Sequence, residues 1–451
     1  MRCVNEIVLL TFVILFMCLP IASAGTIGFF SQDWTYPAYY IIYPGALDVV
    51  GQIAYFGSHY TGTPLTNFLY AMNITTGDLI WRYNTSLPFN YVSNFTYNDS
   101  TYIIAGTGDP TYFPSEGYVL AFSPQENVTV WGSINLDSSV QSLGAAGSGV
   151  PNNEDVIAGL ANGQVVRLSG SSGSIEWRYP CAGNITADNV PDIVQLDNGS
   201  VVVGTSSVNT GQSYIYCFEK NGTVAWNYPL KVNIPLRLIK RFGNLNEVVV
   251  AFGDVIDARN GTTGGEIWSQ PFNATQNVAP YSVTQLVTDL LCTEDYTGDG
   301  FPDIVAGTDG GFLMILNGQN GTLFKESAQI SYTLSYIQYM YSYESGVALL
   351  NKTLVVSIET SSYSYYVCGV NASDLTVMNE FPVSGIFGAM NLLNTANSTN
   401  YTGDLLFSAG SNVYFISGTA IVFSEFPSQI MVVVLIVVVG ASVTILRRHR
   451  Q

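Results

Sequence analysis

The feature that most constrains the fold is a repeat of about 48 residues that runs along nearly the whole chain. Each copy reads as a short strand, a turn rich in Asn, Gly, Ser or Thr, and a strand ending in a large apolar residue. A fully apolar strand pattern precedes each of these hairpins, as in residues 153–159 and 301–307. The anchors of the repeat are Trp81, Trp131, Trp177, Trp226, Trp268, Phe324, Val377 and Phe423, with Trp34 upstream.

Two hairpins in about 48 residues match the size of one β-propeller blade. The repeat therefore predicts an all-β propeller of about eight four-stranded blades, with seven as the alternative. A β-helix would need a shorter period, and a sandwich would not repeat eight times. The lone strand pattern around Trp34 predicts that an N-terminal strand completes the last blade and leaves no open edge. The tryptophan series is interpreted as repeat packing, with a sugar-stacking platform as the alternative.

Two resemblances are carried by these motifs. The repeat, apolar–apolar–x–x–A–x–x–x–G–x–x–x–W, resembles that of quinoprotein-like (PQQ-like) β-propellers, and the stretch D-x-x-G-D-G-x-P-D-I-V-A-G-T at 295–308 resembles FG-GAP repeats of integrin-type propellers. The first resemblance implies the fold more than an activity. Quinone-dependent dehydrogenases of this fold use an adjacent Cys-Cys pair, which is absent here, so no PQQ is expected. The second resemblance implies calcium.

The two ends predict the compartment. Residues 1–24 are typical of a secretory signal peptide, with an uncleaved signal anchor as the alternative. Residues 429–446, which contain the uncharged run Ile430–Leu446, predict a transmembrane helix followed by a cytoplasmic basic tail at 447–451. A buried core strand is the alternative for this run. The prediction is a single-pass membrane protein with residues 25–428 outside the cell, resembling archaeal-type surface proteins.

The charge balance excludes nucleic acid as an expected partner. The chain carries a formal net charge of -18, and only 11% of its residues are charged. Without Arg2, Glu6 and the three tail arginines, 11 basic and 32 acidic residues remain, about -21 outside the cell. Such a surface repels phosphate backbones and attracts cations.

Cysteine and asparagine usage agrees with export. Four cysteines lie outside the signal, Cys181, Cys217, Cys292 and Cys368, and an oxidising compartment suggests disulfides, with buried free thiols as the alternative. An excess of N-x-S/T sequons predicts a glycoprotein, although Asn-Gly turns account for part of the excess. The glycosylation candidates are Asn73, Asn84, Asn94, Asn98, Asn127, Asn198, Asn221, Asn260, Asn273, Asn320, Asn351, Asn371, Asn397 and Asn400.

The sharpest local motif is the candidate calcium loop at 295–303. Side chains at relative positions 1, 3, 5 and 9, with Gly after the third, let a tight loop wrap one hard cation. The predicted ligands are the side chains of Asp295, Thr297, Asp299 and Asp303 and the carbonyl of Phe301. Threonine at the second position should weaken binding, and a plain Asp-Gly turn that caps the next strand is the alternative.

A fainter copy of this loop lies at 184–192. Its first position, Asn184, is also a sequon, and a glycosylated amide could not easily bind an ion. Metal binding is therefore expected at 295–303 rather than here.

Catalytic chemistry finds little support in the sequence. The predicted ectodomain has one histidine, His59 in G-S-H-Y-T-G-T, which is interpreted as a surface-loop residue, and no nucleophile elbow accompanies it. The favoured function is a non-catalytic cell-surface glycoprotein for adhesion, recognition or cell-envelope scaffolding, with surface proteins or glycans as partners. The alternatives are an extracellular propeller enzyme acting on polysaccharide, a degenerate quinoprotein dehydrogenase relative, or a sensory ectodomain.

Overall fold

The structure of the chain is a computed structural model. It describes residues 27–421 except 39, 63–65, 110, 113, 149–151, 182–192, 206–212, 231–235, 243–245, 253–254, 272–274, 279–280, 285–286, 293–294, 309–310, 329, 331–346, 351–352, 360–363, 385–386, 395–401 and 410. Residues 30–419 form one compact unit; of the second, residues 1–29 with 420–451, only the outer ends of two strands are described. The predicted signal peptide, transmembrane helix and basic tail lie outside the described residues.

Eight four-stranded antiparallel sheets make up the propeller, and all the described elements are strands. The first strand, β1 (Ile27–Pro37), belongs to the last blade, and the remaining strands follow in chain order. The strands of each blade are given from the innermost to the outermost. Blade 1 contains β2 (Ile41–Val50), β3 (Ile53–His59), β4 (Asn67–Asn73) and β5 (Leu79–Thr85), and blade 2 contains β6 (Phe89–Tyr97), β7 (Ser100–Thr107), β8 (Val119–Phe122) and β9 (Thr129–Gly132). Blade 3 contains β10 (Val140–Gly147), β11 (Glu154–Leu160), β12 (Gln164–Leu168) and β13 (Ile175–Pro180), and blade 4 contains β14 (Val194–Gln195), β15 (Val201–Thr205), β16 (Tyr214–Phe218) and β17 (Val224–Pro229).

The second half repeats this arrangement with one insertion. Blade 5 is followed by a separate two-stranded hairpin, β22 (Thr275–Val278) and β23 (Tyr281–Thr284). Blade 5 contains β18 (Leu236–Arg241), β19 (Glu247–Phe252), β20 (Val255–Asn260) and β21 (Glu266–Pro271), and blade 6 contains β24 (Val287–Leu291), β25 (Ile304–Thr308), β26 (Leu313–Leu316) and β27 (Leu323–Glu326). Blade 7 contains β28 (Val347–Leu350), β29 (Thr353–Glu359), β30 (Tyr365–Asn371) and β31 (Val377–Val383), and blade 8 contains β32 (Phe387–Asn394), β33 (Thr402–Ala409), β34 (Asn412–Ile421) and β1.

The ring closes through the N-terminal strand. The innermost strands of successive blades contact one another, and β32 of blade 8 contacts β2 of blade 1. Strand β1 pairs beside β34 as the outermost strand of blade 8, where the ring of Trp34 stacks on Phe415 with centroids 5.5 Å apart. Both the blade number of eight and the closing role of the Trp34 strand are therefore confirmed.

The core lies in the second and third strands of each blade, because these strands are covered on both faces by neighbouring blades. All five residues of β15 and all four of β26 are buried, whereas the outermost β17 alternates between half-buried and exposed residues. The apolar strand patterns of the sequence therefore correspond to buried strands, and the mixed patterns to the outer strands.

The tryptophans join each blade to the next. In blades 1–5 and in the closing strand β1, the indole N–H donates to a carbonyl in or beside the turn between the third and fourth strands of the following blade. Trp131 Nε1, for example, lies 2.9 Å from Gly170 O, and Trp268 Nε1 lies 2.8 Å from Gly318 O. A Cβ at Gly173 would lie 2.3 Å from the Trp131 ring, so glycine in this turn lets the indole approach. The interpretation of the tryptophans as repeat packing is confirmed.

The strand order gives the propeller two distinct faces. The turns between the first and second and between the third and fourth strands, such as 51–52 and 74–78, form what we call the lower face. The connections between the second and third strands and between blades, such as 161–163 and 86–88, form the upper face. In the described residues there is no helix long and apolar enough to cross a membrane.

Candidate metal site and polar clusters

The candidate calcium loop lies on the lower face, between β24 and β25 of blade 6. One carboxylate oxygen from each of Asp295, Asp299 and Asp303 lies within 4.8 Å of the other two. Two oxygens bound to one Ca²⁺ at about 2.4 Å are at most about 4.8 Å apart, so this spacing fits a calcium ion. Asp295 and Asp299 are exposed, while Asp303 is buried.

The loop is held by its own backbone. Asp295 accepts hydrogen bonds from the N–H groups of Gly298 at 2.6 Å and Gly300 at 2.8 Å, and Gly298 and Gly300 both have positive φ angles. The hydrogen bond from the Gly300 N–H lowers the pKa of the Asp295 carboxyl. Desolvation acts in the opposite direction, but the hydrogen bond from the Gly298 N–H adds to the lowering, and the pKa stays below its ordinary value. The Asp295 carboxylate is therefore ionised, as a cation ligand must be.

Asp303 has a structural role that does not need a metal. Its Oδ2 accepts the N–H groups of Tyr296 and Thr297, both at 2.7 Å, and its Oδ1 accepts the N–H of Gly318 at 2.9 Å. In blade 3, Asp155 accepts the N–H of Gly170 at 3.0 Å from the equivalent strand position. Both glycines lie in turns that receive a tryptophan, so this aspartate belongs to the repeat. Asp295 and Asp299 are what distinguish blade 6 from blade 3.

An asparagine amide faces two of the predicted ligands. Asn317 Nδ2 donates to Asp299 Oδ2 at 2.6 Å and lies 3.2 Å from Thr297 Oγ1. Asn317 Oδ1 accepts the N–H groups of Gln319 and Asn320, which fixes the amide orientation. An ion bound to Asp299 and Thr297 would therefore have to displace this amide. The Phe301 N–H donates to Asp299 Oδ1 at 2.9 Å. The fainter loop at 184–192 lies outside the described residues.

On the upper face, His59 connects blades 1 and 2. It is the last residue of β3, and its side chain is only 10% exposed, so the interpretation as a surface-loop histidine is wrong. Nδ1 lies 3.0 Å from Asn90 Oδ1, and Nε2 lies 3.2 Å from Asp109 Oδ2. The flanking Gly, Ser and Thr residues are typical of a loop, but the contacts to Asn90 and Asp109 are distant in sequence.

The two partners of His59 are themselves held by hydrogen bonds. Asn90 Nδ2 donates to the carbonyls of Gly108 at 2.7 Å and Val140 at 2.9 Å, so the Asn90 oxygen faces His59. Burial raises the pKa of Asp109, but hydrogen bonds from His59 and from the N–H groups of Tyr112 and Thr111 outweigh it and hold the pKa below its ordinary value. Both ring nitrogens of His59 thus face side-chain oxygens, one of Asn90 and one of Asp109.

Two buried arginines were not predicted from the sequence. Arg167, on β12, is fully buried and binds Asp155 Oδ2 through Nη2 at 2.7 Å. Arg259, on β20, is also buried, lies 2.8 Å from Asp257 and places its guanidinium 3.5 Å from the centre of the Tyr228 ring. The available signal was an arginine inside an otherwise apolar strand pattern, which needs a buried acid on the same or the neighbouring strand.

The suggestion of disulfides is wrong, and the alternative of thiols outside any disulfide holds. Cys217, Cys292 and Cys368 are buried, Cys181 is half-buried, and none of the four forms a disulfide. Each lies in a different blade or blade connection, because the repeat spaces the cysteines around the ring. Burial raises the pKa of the thiols of Cys181, Cys217 and Cys368 to about 12. These thiols are therefore poor nucleophiles.

Many sequons coincide with turns. In six of them the asparagine Oδ1 accepts the backbone N–H two residues later, which is the sequon Ser or Thr; these are Asn73, Asn198, Asn221, Asn260, Asn320 and Asn371. A glycan is attached through Nδ2, so these turns are compatible with glycosylation. Asn94 and Asn127 instead use Nδ2, to Asp48 at 2.7 Å and to the Arg82 carbonyl at 3.0 Å. Asn84 and Asn98 are exposed, and Asn273, Asn351, Asn397 and Asn400 lie outside the described residues.

Comparison with known proteins supports the interpretation of the repeat as PQQ-like. The family model PQQ_2, described as outer membrane protein assembly factor BamB, matches residues 115–322. The fold is similar to BamB from Moraxella catarrhalis, with a TM-score of 0.55, 14% identity, and 86% of this chain and 99% of that chain covered.

Two further solved structures are similar at the level of the fold. The computationally designed Ika8 protein has a TM-score of 0.57 and 13% identity, covering 85% of this chain and 98% of the designed one. The C-terminal WD40 domain of Sif2 has a TM-score of 0.57 and 11% identity, with 87% and 99% covered. No curated protein sequence matches the chain.

Proposed function

From the eight-bladed propeller fold and the PQQ_2 match over residues 115–322, we propose that the chain is a non-catalytic interaction protein of the cell surface, used for adhesion, recognition or scaffolding of the cell envelope. The assembly role in the name of BamB belongs to that protein, and it supports the general idea that such propellers hold other proteins. The proposal places residues 25–428 outside the cell, glycosylated, with residues 429–446 in the membrane.

The observation that carries this proposal is the packing of His59 between Asn90 and Asp109. It is the only histidine between the predicted signal peptide and the basic tail. A general base needs a ring nitrogen with a free lone pair, and both nitrogens of His59 face Asn90 and Asp109. The buried thiols are protonated. His59 and these cysteines, which belong to residue types that often perform acid–base and nucleophilic chemistry, are thus packed as structural residues.

We further propose that the loop at 295–303 binds Ca²⁺ and stabilises blade 6. Asp295, Asp299 and Asp303 would hold the ion with Thr297 and the Phe301 carbonyl. The close approach of three carboxylates supports the assignment. The amide of Asn317 opposes it, so weak binding is expected.

The test is to purify the full chain from its native membrane in mild detergent and identify stable complexes. The same sample is assayed for depolymerisation of cell-surface polysaccharides and for dye-linked alcohol oxidation after addition of PQQ and Ca²⁺. The proposal expects a stoichiometric protein or glycan complex and no turnover. Turnover in either assay, lost in the Asp109→Asn or Asp299→Asn variant, would contradict it.

A further inference from the structure

The N-glycosylation sequons are distributed unequally between the two faces of the propeller. Ten of the candidate asparagines belong to the part of the chain that the structure describes, and eight of them lie in, or at the start of, turns of the lower face. These eight are Asn73, Asn98, Asn127, Asn198, Asn221, Asn260, Asn320 and Asn371. The other two, Asn84 and Asn94, belong to strands β5 and β6. The described connections of the upper face contain no sequon, although Asn135 and Asn162 lie there.

Two of these turns hold an exposed sequon in the same way. Asn221 in blade 4 and Asn320 in blade 6 each precede a glycine that packs against a tryptophan of the preceding blade. Thr322 Oγ1 donates to Asn320 Oδ1 at 2.7 Å, and Thr223 Oγ1 donates to Asn221 Oδ1. Among the described residues, neither asparagine uses Nδ2, the atom that carries an N-linked glycan, in a hydrogen bond. A glycan on either turn therefore breaks no contact.

The two faces also differ in charge and in exposed apolar side chains. In the lower-face turns the exposed carboxylates are Asp78, Asp99, Glu126, Asp197, Glu219, Asp295, Asp299 and Asp374. In the upper-face connections that the structure describes, they are Glu116 and Asp137. The three most exposed large apolar side chains of the described chain are Ile134, Tyr112 and Ile41, at 67%, 64% and 55%. All three lie at the upper face.

Hydrogen bonds connect the surroundings of these three apolar side chains. Ile41 pairs with His59, and Asp109, the partner of His59, accepts the Tyr112 N–H at 2.7 Å. A backbone hydrogen bond of 2.9 Å joins the connection that carries Tyr112 to the connection that carries Ile134. Ile41, Tyr112 and Ile134 therefore belong to one part of the upper face, over blades 1 and 2, which we call the apolar region.

We propose that N-linked glycans cover the lower face and that another protein binds the upper face at the apolar region. Glycans are bulky and hydrated, so a face that carries several of them excludes a close-fitting partner. Burial of Ile41, Tyr112 and Ile134 against apolar side chains removes them from water, a gain that a hydroxyl-rich glycan or a charged polymer would not provide. The net charge of -18 opposes pairing of two copies of the chain. The inference rests on the proposed interaction function and specifies its surface.

The test uses two variants of blade 3, produced in the native host, that each add one sequon. The first, Gln164→Thr, adds it to the upper face. Asn162, which is exposed between β11 and β12, becomes an acceptor asparagine whose Oδ1 already accepts the N–H of residue 164 at 3.1 Å. The Asn162 N–H also donates to Ser138, in the connection that carries Ile134, so a glycan here would lie beside the apolar region. Adding Asn162→Gln removes the glycan and controls for the substitution itself.

The matched variant, Ser172→Asn, adds a sequon to the lower face of the same blade. Ser172 is exposed and precedes Gly173, as Asn221 and Asn320 precede the corresponding glycines of blades 4 and 6. Mass mapping of glycopeptides shows which asparagines are occupied and whether each new site is used. In wild type it should find glycans on Asn221 and Asn320 and none on Asn94, whose Nδ2 donates to a carboxylate at 2.7 Å.

Oxidation of Tyr112 by hydroxyl radicals reports on the apolar region, in native membranes and in the full chain isolated as a monomer in detergent. The exposed Phe324 of the outer strand β27 is the reference side chain, and the melting temperature shows that each variant is folded. In wild type and in Ser172→Asn, Tyr112 should be oxidised at least about threefold less in membranes than in the monomer. In Gln164→Thr this protection should be lost, and Asn162→Gln should restore it.

Several results would overturn the proposal. These are lower-face turns without glycans, glycans on Asn184 or Asn273 in the sequence between blades, equal oxidation of wild-type Tyr112 in the two samples, equal behaviour of the two variants, and a dimer of this chain as the protecting complex. If Tyr112 is unprotected while a complex is present in the native membrane, the inference fails and the wider function stands. If that complex is also absent, both fail.

Discussion

Nε2 of His59 lies 3.2 Å from Oδ2 of Asp109, and this pair joins the end of the second strand of blade 1 to the connection that follows the second strand of blade 2. Each partner depends on the other. Nε2 of His59 has the Asp109 carboxylate as its partner, and the hydrogen bond with His59 is one of the contacts that outweigh burial and hold the pKa of Asp109 below its ordinary value.

The first prediction concerns this pair and pH. A carboxyl group whose folded pKa is lowered stabilises the fold above its unfolded pKa of about 3.9, and this contribution is lost as pH falls through the folded pKa. The Asp109→Asn variant should therefore be less stable than wild type at pH 7, by about 1–3 kcal/mol. The difference should shrink below pH 4, and urea unfolding at several pH values measures it. If the difference in unfolding free energy between wild type and Asp109→Asn stayed constant down to pH 2, Asp109 would stabilise the fold through its shape and not through its charge.

The second prediction concerns the tryptophan contacts. Replacing Trp131 by Phe should cost about 1–2 kcal/mol of unfolding free energy, because the buried Gly170 carbonyl loses its donor. The matched Trp177→Phe variant should lose less, since the hydrogen bond from Trp177 to the Lys220 carbonyl is exposed and water can replace the indole. Denaturant unfolding of both variants tests the order, and an equal loss would argue against the role of burial.

The third prediction concerns the turn glycines. Gly264 has a φ of +71°, and a Cβ there would lie 2.7 Å from Cδ2 of Trp226. Gly51 has a similar φ of +62°, but a Cβ there would meet nothing within 4 Å. Both alanine variants should lose about 1–2 kcal/mol to backbone strain, and Gly264→Ala should lose more because the indole is displaced. The fluorescence of Trp226 should change only in Gly264→Ala, and a change in neither would refute the contact.

The fourth prediction concerns calcium. Ligands that bind the native state raise the melting temperature as their concentration rises. Wild type should show a small Ca²⁺-dependent rise, and Asp299→Ala should show none. The Asn317→Asp variant should bind Ca²⁺ more tightly, because it keeps Oδ1 for the turn and replaces the opposing amide by a carboxylate oxygen. If chelator leaves the wild-type melting temperature unchanged, the loop is only a turn.

Much of the architecture was predictable because it repeats. A period of about 48 residues predicts the blades, and Trp34 in phase with that period predicts the closing strand. The convergence of Asp295, Asp299 and Asp303 follows from local spacing, so it too was accessible from the sequence.

Contacts between blades were not accessible in this way. His59 looked like a loop residue because its neighbours are small and polar, while its partners Asn90 and Asp109 lie 31 and 50 residues further along the chain. Asp155 and Asp303 occupy the same position of the repeat in the sequence, but their shared role, accepting the N–H of a glycine in the next turn, appears only in the structure. The local sequence pattern predicts single strands, whereas charged pairs between strands depend on how the strands are aligned against one another.

The most direct test of the central claim, a non-catalytic interaction propeller, is the mass of the particle that contains this chain when it is extracted intact from its native membrane. Native mass spectrometry of the full chain in mild detergent provides this mass. The account predicts a defined complex of this chain with another surface protein or glycan. A bare monomer that turns over an added polysaccharide or alcohol would contradict it.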